Sequence, residues 1–455
     1  MHVGTSQVLS NKLKEEIWSH KDEVDTIIGY ILEGDGHHGS YKRLARITDG
    51  FGHRVSGSEA LEDSIDFVMA EMEAEGFTNV HGEDFQMPNW QRGEDSCELI
   101  EPRRVKMPLL ASGSSISTPL GGITAEVVVV RSFDELADLD RSETEGKIVV
   151  YNQPYEGYGT STAYRGHGAT KASEKGAVAA LVRSITQFSV NSPHTGQQYY
   201  QEGVEDIPTG CITVEDAEML WRMQERGQSM VIHLDMTSLT DGMMTTRNLV
   251  GDLEGTSFPD EYVVVGGHLD SWDVGTGAMD DGGGCAISWE AMVIIKKLGL
   301  TPKRTLRTVL WSAEEQGLLG GVAYYEQNQD LVPNVSIMME SDSGTFRPLG
   351  IGFSGSDEAR AIMREILDMT SALNATQLGS EGSSPDTGDW VRAGVPGGNL
   401  INQNDDYFIF HHSEGDRMTV QDADEMDLCT ALWTSVAYVV ADLDELLPRE
   451  DNSRK

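Results

Sequence analysis

Apolar and polar positions along the chain follow two patterns, one typical of helices and one typical of short strands. Over 8–33 and again over 57–77, apolar residues return roughly every three or four positions. The second of these segments runs into Gly76, a residue type that commonly ends helices. Both segments are therefore predicted to be amphipathic helices.

The pattern of apolar and polar residues changes at about residue 97. Up to residue 243 the chain carries short β-branched runs, "AEVVVV" and "GKIVVY", separated by turn-rich polar tracts such as "NQPYEGYGTSTAYRGHGAT". We interpret this stretch as a β-rich unit inserted into another domain. Its charged residues do not cluster as ligands would. The predicted domains are 1–96 (N-terminal helices and the first part of the main domain), 97–243 (the insert) and 244–455 (the main part).

From residue 245 strands and helices alternate regularly. Strand-like "EYVVVGG", "TLRTVLWSA" and "NVSIMMES" are separated by helix-like "GGCAISWEAMVIIKKLG" and "GLLGGVAYYEQN". Later segments, "ARAIMREILDMTSAL" and "ALWTSVAYVVADLDELL", have the composition of covering helices. This order predicts an α/β fold with a mostly parallel central sheet covered by helices on both faces.

Charge and hydropathy narrow the class of partner. The 455 residues include 34 Lys plus Arg against 74 Asp plus Glu, a net charge of −40, which repels phosphate backbones and anionic lipid surfaces. No apolar run approaches the roughly 20 residues that span a bilayer. We therefore expect neither a nucleic acid nor a membrane as partner. The start, "MHVGTSQVLSNKLKEE", lacks the pattern of a signal peptide, which taken alone indicates the cytoplasm.

The cysteines and the glycosylation sequons say less about function and location. Four cysteines lie far apart without a C-x-x-C pair, so we expect buried free thiols rather than a zinc ribbon or a disulfide framework. The sequons at Asn334 and Asn374 matter only if the chain is secreted.

Acidic residues and histidines follow the predicted strands at their carboxyl ends, where open α/β sheets bind ligands. The later apolar run "DYFIF" is also interpreted as a strand. The acidic residues and histidines at these four strand ends are, in chain order, His268, Asp270, Asp280, Asp281, Glu314, Glu315, Glu340, Asp342, His411 and His412. Singly, each has an ordinary structural explanation, such as a turn or an acidic helix start. Together on one edge, the carboxylates would repel one another unless cations lay among them. This convergence favours a pair of metal ions.

The mixture of imidazole and carboxylate suits zinc best, with manganese or cobalt as substitutes. A pair of ions about 3.5 to 4 Å apart needs a bridging carboxylate. Asp280 is the candidate, because it lies in the loop between His268 and the next helix and is followed by glycines. Asp270, two residues after His268, is better placed to accept a hydrogen bond from the other ring nitrogen of that histidine.

Four blocks of sequence resemble, in order and spacing, the signatures of the di-zinc exopeptidases related to bacterial aminopeptidases and transferrin-receptor-like peptidases. The blocks are "GGHLDSWDVGTGAMDDGGG", "SAEEQGLLG", "MESDSGTF" and "FHHSEGD". Within that group the chain is most similar to the carboxypeptidase Q (plasma glutamate carboxypeptidase) family. The segment "RVSGSEALEDSIDFVMAEMEAEGF" resembles the first part of that family's catalytic domain, and 97–243 resembles its protease-associated insert. The resemblance thus implies the zinc exopeptidase fold with an inserted protease-associated domain.

The resemblance also implies a set of roles. It assigns one zinc ion to His268, Asp280 and Asp342, and the other to Asp280, Glu315 and His412. His412 is preferred to His411 because "HSEGD" aligns with the family's His-Thr-x-x-Asp pattern from the second histidine. The peptide bond between Asp280 and Asp281 is expected to be cis, as in similar enzymes.

The implied activity is hydrolysis of dipeptides or short peptides with free termini. Water held between two Zn²⁺ ions per chain would be deprotonated by Glu314, which would then pass the proton to the leaving amine. A glycine-rich loop at 379–407 is expected to line the pocket. The resemblance further implies a homodimer and a secreted or lysosomal location, and in a secreted chain the two sequons predict a glycoprotein. The missing signal-peptide pattern leaves the cytoplasm open.

Two other functions use the same scaffold. A single-zinc glutaminyl cyclase would need only one metal ion, and a non-catalytic binding protein would be expected to have lost ligands or the base. Each matched position here holds an acceptable residue. There is no G-x-S-x-G motif and no cysteine beside a catalytic-looking histidine, so the sequence does not support a covalent mechanism.

Overall fold

The computed structural model describes residues 9–450, which form two compact units. The first unit comprises 9–85, 245–405 and 416–450, and the second comprises 86–244 and 406–415. The insert predicted from sequence, 97–243, lies within the second unit. Within the described residues no helix is both long and apolar enough to cross a membrane. The four cysteines are free and buried.

The helices in chain order are α1 (Asn11–Trp18), α2 (Lys21–Leu32), α3 (Gly39–Phe51), α4 (Glu59–Ala74), α5 (Phe133–Asp138), α6 (Arg141–Thr144), α7 (Tyr158–Glu174), α8 (Val214–Glu225), α9 (Gly283–Lys297), α10 (Leu319–Gln327), α11 (Asp357–Met369), α12 (Gly388–Arg392), α13 (Tyr407–Phe410) and α14 (Ala423–Asp442). A π-helical turn occupies Ala278–Gly282, and 3₁₀ turns occupy Gln329–Asn334, Ser371–Leu373 and Met418–Val420.

The strands in chain order are β1 (Thr78–Gln91), β2 (Asp95–Glu101), β3 (Val105–Met107), β4 (Leu109–Ala111), β5 (Ile123–Val130), β6 (Ile148–Tyr151), β7 (Ala179–Arg183), β8 (Thr209–Ile212), β9 (Val231–Met236), β10 (Leu239–Leu253), β11 (Phe258–His268), β12 (Arg304–Trp311), β13 (Val335–Glu340), β14 (Pro348–Ser354), β15 (Gln377–Gly379) and β16 (Gly397–Asn402).

The N-terminal helices follow the apolar spacing of the sequence, with one interruption. The segment predicted at 8–33 forms two helices, α1 and α2, separated at 19–20; residue 8 lies outside the described residues. The segment predicted at 57–77 forms α4, where Ser58 Oγ accepts a hydrogen bond from the first turn. Gly76 adopts φ +80°, which a helix-ending glycine reaches without strain, so this boundary is confirmed.

The central sheet of the first unit is mostly parallel, as predicted. Its strand order is β1-β10-β12-β11-β13-β16-β14-β15. Strand β11 runs parallel to β12 and β13, and β13 runs parallel to β16, whereas β10 and β14 join antiparallel. Parallel pairing brings the carboxyl ends of β11, β12 and β13 to the same edge.

Both faces of this sheet are buried under helices. Along β11, Val263 and Val265 pack into a core with side chains of α2, α4, α9, α11 and α14, and Val264 packs into a smaller core with side chains of α10 and α12. Successive side chains of a strand point to opposite faces, so a continuous apolar run requires cover on both sides. The run "YVVVGG" is such a strand.

The second unit contains more helix than the sequence pattern predicts. Its sheet order is β3-β2-β9-β5-β6-β7-β8-β4. The tract "NQPYEGYGTSTAYRGHGAT" was predicted to be turn-rich, which is wrong, because most of it belongs to helix α7. Ala169 and Ala172 bury the helix in a core with the sheet, and a Cβ at Gly168 would lie 2.9 Å from the Tyr151 ring. Close packing of small residues therefore outweighs the poor helix propensity of glycine.

The apolar run "DYFIF" is also not a strand. Tyr407–Phe410 forms the short helix α13, and the ring of Phe408 stacks on Tyr158 with centroids 4.6 Å apart. A run this short carries no periodicity that separates a strand from a helical turn, so aromatic packing decides its conformation.

Candidate metal centre

Strand pairing brings the acidic residues of the first unit to the imidazole of His268. His268 is the last residue of β11 and lies opposite Trp311 of β12, three residues before Glu314. On the other side Gly266 lies opposite Glu340, the last residue of β13. The edge where these strands end therefore carries one histidine between two acidic segments.

The two ring nitrogens of His268 face different partners. The side chain is fully buried, and its Nδ1 lies 3.0 Å from the main-chain oxygen of Asp270. Its Nε2 lies 3.1 Å from Oδ1 of Asp280 and 3.4 Å from Oδ1 of Asp342. A protonated Nδ1 donating to a carbonyl leaves Nε2 as the nitrogen that faces the carboxylates, the arrangement common for a metal-binding histidine.

Asp270 holds three parts of the site together. Its Oδ2 accepts a hydrogen bond from Ser56 Oγ at 3.0 Å. Its carboxylate also accepts from the main-chain N–H groups of Glu314, at 3.2 Å, and Glu315, at 3.4 Å. The contact with Nδ1 of His268 comes mainly from the carbonyl, since the carboxylate oxygen is 3.6 Å away. Asp270 thus orients the histidine and the Glu314–Glu315 segment together.

The two neighbouring aspartates of the loop after β11 have different surroundings. Asp281 accepts hydrogen bonds from the main-chain N–H of His268 at 3.2 Å and of Gly284 at 3.0 Å. A Cβ at Gly284 would lie only 1.9 Å from the Ser341 oxygen, so that position needs glycine. The peptide bond from Asp280 to Asp281 is cis. Because main-chain groups occupy both oxygens of Asp281, Asp280 is the better ligand candidate.

The ligand atoms of His268, Asp280 and Glu315 all lie within 4.8 Å of one another, and so do those of His268, Asp281 and Asp342. Glu315 is buried, whereas Glu314 is partly exposed. The structure therefore brings together four of the five metal ligands expected from sequence, His268, Asp280, Glu315 and Asp342, together with Glu314 and Asp270.

Arg54 is a buried residue of this site that the sequence interpretation did not assign. Its guanidinium donates to four main-chain oxygens at 2.6–3.1 Å, those of Gly52, Leu269, Thr276 and Gly277. Three of these carbonyls belong to the loop after β11 that carries Asp280 and Asp281. Burial lowers the pKa of Arg54, although nearby carboxylates oppose the shift. The only sequence signal was its place at the start of the quoted block "RVSGSEAL".

Asp416 anchors the same loop from the other side. Its carboxylate accepts hydrogen bonds from the main-chain N–H groups of Met279, at 2.7 Å, and Asp280, at 3.2 Å. Burial, with repulsion from Asp280, raises the pKa of Asp416 to about 7. It is the last residue of the quoted block "FHHSEGD", where only the histidines had been given a role.

Glu340 and Asp386 add two more buried carboxyl groups. Glu340 Oε2 accepts hydrogen bonds from the main-chain N–H groups of Asp386 and Thr387, at 3.1 and 3.2 Å. Burial, with repulsion from Glu340, raises the pKa of Asp386 well above its ordinary value. Asp386 belongs to the glycine-rich loop expected to line the pocket, and Glu340 attaches that loop to the end of β13.

The electrostatics of the cluster call for a cation. Burial, with repulsion from Asp280, raises the pKa of Glu315 well above its ordinary value. Burial, with repulsion from Glu315 and Asp342, raises the pKa of Glu314 in the same way. For His268 burial acts to lower the pKa, but the carboxylates of Asp270, Asp280 and Asp342 outweigh it and raise the pKa. Buried acids of this density are stable as anions only beside positive charge, and the imidazole–carboxylate donor set fits zinc.

His411 and His412 belong to the second unit. Nδ1 of His412 lies 3.1 Å from the Thr195 oxygen, and the Thr195 N–H donates to the His412 oxygen at 3.0 Å. The two histidine rings stack with centroids 3.6 Å apart. The carbonyl that faces Nδ1 of His412 matches the environment of Nδ1 in His268.

Comparison with known proteins identifies close relatives. Residues 248–437 match the family described as Peptidase family M28. Carboxypeptidase Q of Mus musculus is 51% identical over 446 residues, which cover 98% of this chain and 95% of the relative. The crystal structure of a peptidase M28 precursor from Shewanella amazonensis has a TM-score of 0.91 and 30% identity, with 96% of this chain and 100% of that chain covered. A zinc aminopeptidase from Bacillus subtilis shares the fold at a TM-score of 0.69 and 18% identity, over 90% of this chain and 98% of that chain.

Proposed function

The chain belongs to the carboxypeptidase Q family of M28 peptidases and is a zinc-dependent exopeptidase, and from this premise we propose that it cleaves dipeptides and short peptides with free termini at a pair of zinc ions. The observation that carries the proposal is the fully buried His268, whose Nε2 lies within 3.4 Å of two carboxylates while Nδ1 faces a carbonyl. Such an arrangement needs a cation on the Nε2 side.

We assign one ion to His268, Asp280 and Asp342, and the other to Asp280, Glu315 and His412. The contacts of His268 and the shared position of Asp280 support the first set and the bridging role. His412 is included on the sequence alignment, and the carbonyl beside its Nδ1 is compatible with that role. When bound, zinc lowers the pKa of a coordinated water to about 7 and polarises the scissile carbonyl.

Glu314 is proposed as the general base. Its main chain is fixed by the hydrogen bond to Asp270, and the residue is half-buried next to the buried Glu315. The pKa of Glu314 is raised by burial, and a base with a pKa closer to neutral is both a better proton acceptor and a better donor at neutral pH. Glu314 would take a proton from the attacking water and deliver it to the amine of the leaving residue.

The experiment that tests the proposal measures zinc content and turnover on the same samples. The chain, purified without chelator, is expected to hold about two zinc ions at this centre and to hydrolyse an unblocked dipeptide. Glu314→Gln should keep both ions and lower kcat by about 10²- to 10⁴-fold. Glu326→Gln, an exposed position on α10, is the matched control and should change neither quantity.

The outcomes separate the alternatives. About one zinc ion per chain, with cyclisation of an N-terminal glutamine, would favour the glutaminyl cyclase, which the relatives at about 50% identity do not favour. Zinc binding without hydrolysis in the parent chain would favour a binding protein. Full activity in Glu314→Gln would show that another group is the base.

Four further expectations complete the proposal. We propose that 97–243 is an inserted protease-associated domain, that the enzyme acts as a homodimer, that it is secreted or lysosomal, and that it is glycosylated. Of the two sequons, Asn374 is exposed and in a left-handed turn, which makes it the more accessible acceptor. Mass determination of the chain isolated from its native host tests the glycosylation.

A further inference from the structure

A second group of nitrogen and oxygen donors lies where the connection between α2 and α3 meets the start of α14. His37 and His38 end the connection, and Asp424 and Asp427 lie in the first two turns of α14. The ligand atoms of His37, His38 and Asp427 lie within 4.8 Å of one another. None of these residues takes part in the metal centre described above.

The separations between these donors match those around a small metal ion. His38 Nε2 lies 2.8 Å from Asp424 Oδ1 and 3.9 Å from Asp427 Oδ2. His37 Nε2 lies 3.6 Å from Asp427 Oδ2 and 3.9 Å from Asp424 Oδ1. A tetrahedral ion with bonds of about 2.0–2.1 Å holds its ligand atoms about 3.3 Å apart. The observed distances lie on both sides of that value, so small side-chain rotations would complete the geometry.

The donors are held in place by other contacts. The two imidazole rings are stacked with centroids 3.7 Å apart. His38 adopts φ +58°, and its main-chain N–H donates to both oxygens of Asp427 at 3.0 Å. The Asp427 side chain is only 2% exposed, whereas that of Asp424 is 81% exposed. The site thus has a fixed inner wall and an open outer side through which an ion can enter.

A simpler interpretation is an ion pair between protonated histidines and the aspartates. An ion pair of that kind would hold no zinc, so the zinc content separates the two interpretations. A divalent ion bound by two neutral imidazoles and two carboxylates places one cation between two anions. The net charge of −40 also raises the local concentration of cations.

We propose that His37, His38, Asp424 and Asp427 bind a divalent transition metal ion, with zinc as the preferred ion, that ties the α2–α3 connection to the start of α14. Two imidazoles and two carboxylates form a donor set that suits zinc, copper or nickel rather than calcium or magnesium. The expected role is structural, because the donors belong to two segments of the fold that a shared ion would hold together.

The test compares the full-length parent with the double variant His37→Asn/His38→Asn. Asparagine tolerates the left-handed backbone of His38, so the fold is expected to persist. After equilibrium dialysis against buffered zinc, the double variant should hold about one ion fewer per chain and keep its peptidase activity. His53→Asn, an exposed histidine of the same unit, is the control and should bind as the parent does. Equal zinc content in parent and double variant overturns the proposal.

A second measurement needs no variant. Diethyl pyrocarbonate modifies accessible imidazoles, and peptide mass spectrometry reports each histidine separately. Added zinc should lower the modification of His37 and His38 several-fold and leave His53 unchanged; equal modification with and without zinc overturns the proposal. This site would add one ion to the two proposed for the peptidase centre, so the parent should hold about three ions and the double variant about two. The peptidase mechanism is read separately, by turnover and by Glu314→Gln, so the two failures are distinguishable.

Discussion

Replacing Arg54 by lysine should separate the stability of the first unit from the geometry of its metal centre. The Arg54 guanidinium donates to four main-chain oxygens, and it is fully buried. A lysine ammonium keeps the positive charge but donates from a single nitrogen, so it cannot reach carbonyls arranged around a planar fork. We therefore expect at least two buried carbonyls to lose their partner in Arg54→Lys.

The magnitude follows from that loss. An unsatisfied buried polar group costs about 1–3 kcal/mol, so two of them lower the free energy of unfolding by about 2–6 kcal/mol. For a unit of this size that corresponds to a fall in Tm of roughly 2 °C per kcal/mol, or about 4–12 °C. Since the loop that carries Asp280 is no longer fixed, zinc affinity and kcat/KM should fall by about 10- to 100-fold.

Arg304 provides the matched control. It is also almost fully buried, and its guanidinium bonds to Glu261 and to the main-chain oxygens of Leu443 and Asp444. Arg304→Lys should lower Tm by a similar amount, measured by scanning calorimetry, but leave zinc affinity and turnover nearly unchanged at 25 °C. If both variants lose turnover in proportion to their loss of Tm, Arg54 stabilises the fold only and the positioning argument is refuted.

Four further predictions concern acids, histidines and metal removal. Asp416→Asn keeps the size of the side chain but removes its charge and one of the two oxygens that accept main-chain hydrogen bonds. Zinc affinity, measured by competition with a chelator, should fall by about 10-fold or more. An unchanged affinity would show that the loop keeps its position without Asp416. Chelation should lower Tm more at pH 8 than at pH 5. The pKa values of the buried Asp281, Glu315 and Asp386 are raised in the metal-free folded chain, so that chain binds more protons than the unfolded chain and its stability falls as pH rises. A loss of Tm independent of pH contradicts this prediction. Burial acts to lower the pKa of His20, but Asp442, whose Oδ2 lies 3.0 Å from Nε2, and the main-chain oxygens of Ile17 and Glu16 together outweigh burial and raise the pKa above 6.5. About 1 kcal/mol of stability should therefore be complete below pH 6.5 and lost as pH rises through the folded pKa. His20→Gln should remove this part of the pH profile, and an unaltered profile excludes these contacts as its source. His412→Ala should lose one zinc ion and His411→Ala none, and the reverse result would move the alignment of that block by one residue.

Much of the metal centre could be predicted from the sequence because its residues follow strands. The run "YVVVGG" identifies a strand buried on both faces, and the residue after it must emerge at the ligand-binding edge. The same reasoning applies to Glu314 and Glu315 after β12 and to Asp342 after β13. Local periodicity suffices here, since parallel pairing in an α/β sheet brings such strand ends together.

The residues that the sequence interpretation missed act through tertiary contacts. Arg54 and Asp416 lie more than 130 residues from the main-chain groups that they bind in the loop with Asp280. An isolated arginine or aspartate in a polar segment carries no local signal of burial. Two local predictions, for "DYFIF" and for the tract that became α7, were wrong because side-chain packing outweighs propensity in short or glycine-containing segments.

The sequence by itself determined the α/β class, the alternation of strands and helices from β11 to β13, the family, and the residue types at the ends of those three strands. Each of these depends on patterns within a few residues or on motif order along the chain. Only the tertiary structure decided that Asp281 accepts hydrogen bonds from two main-chain N–H groups, that a buried arginine holds the loop with Asp280, and that His37 and His38 meet two aspartates of α14. Those outcomes depend on which groups remain to satisfy a buried charge, and this is fixed only when distant segments pack together.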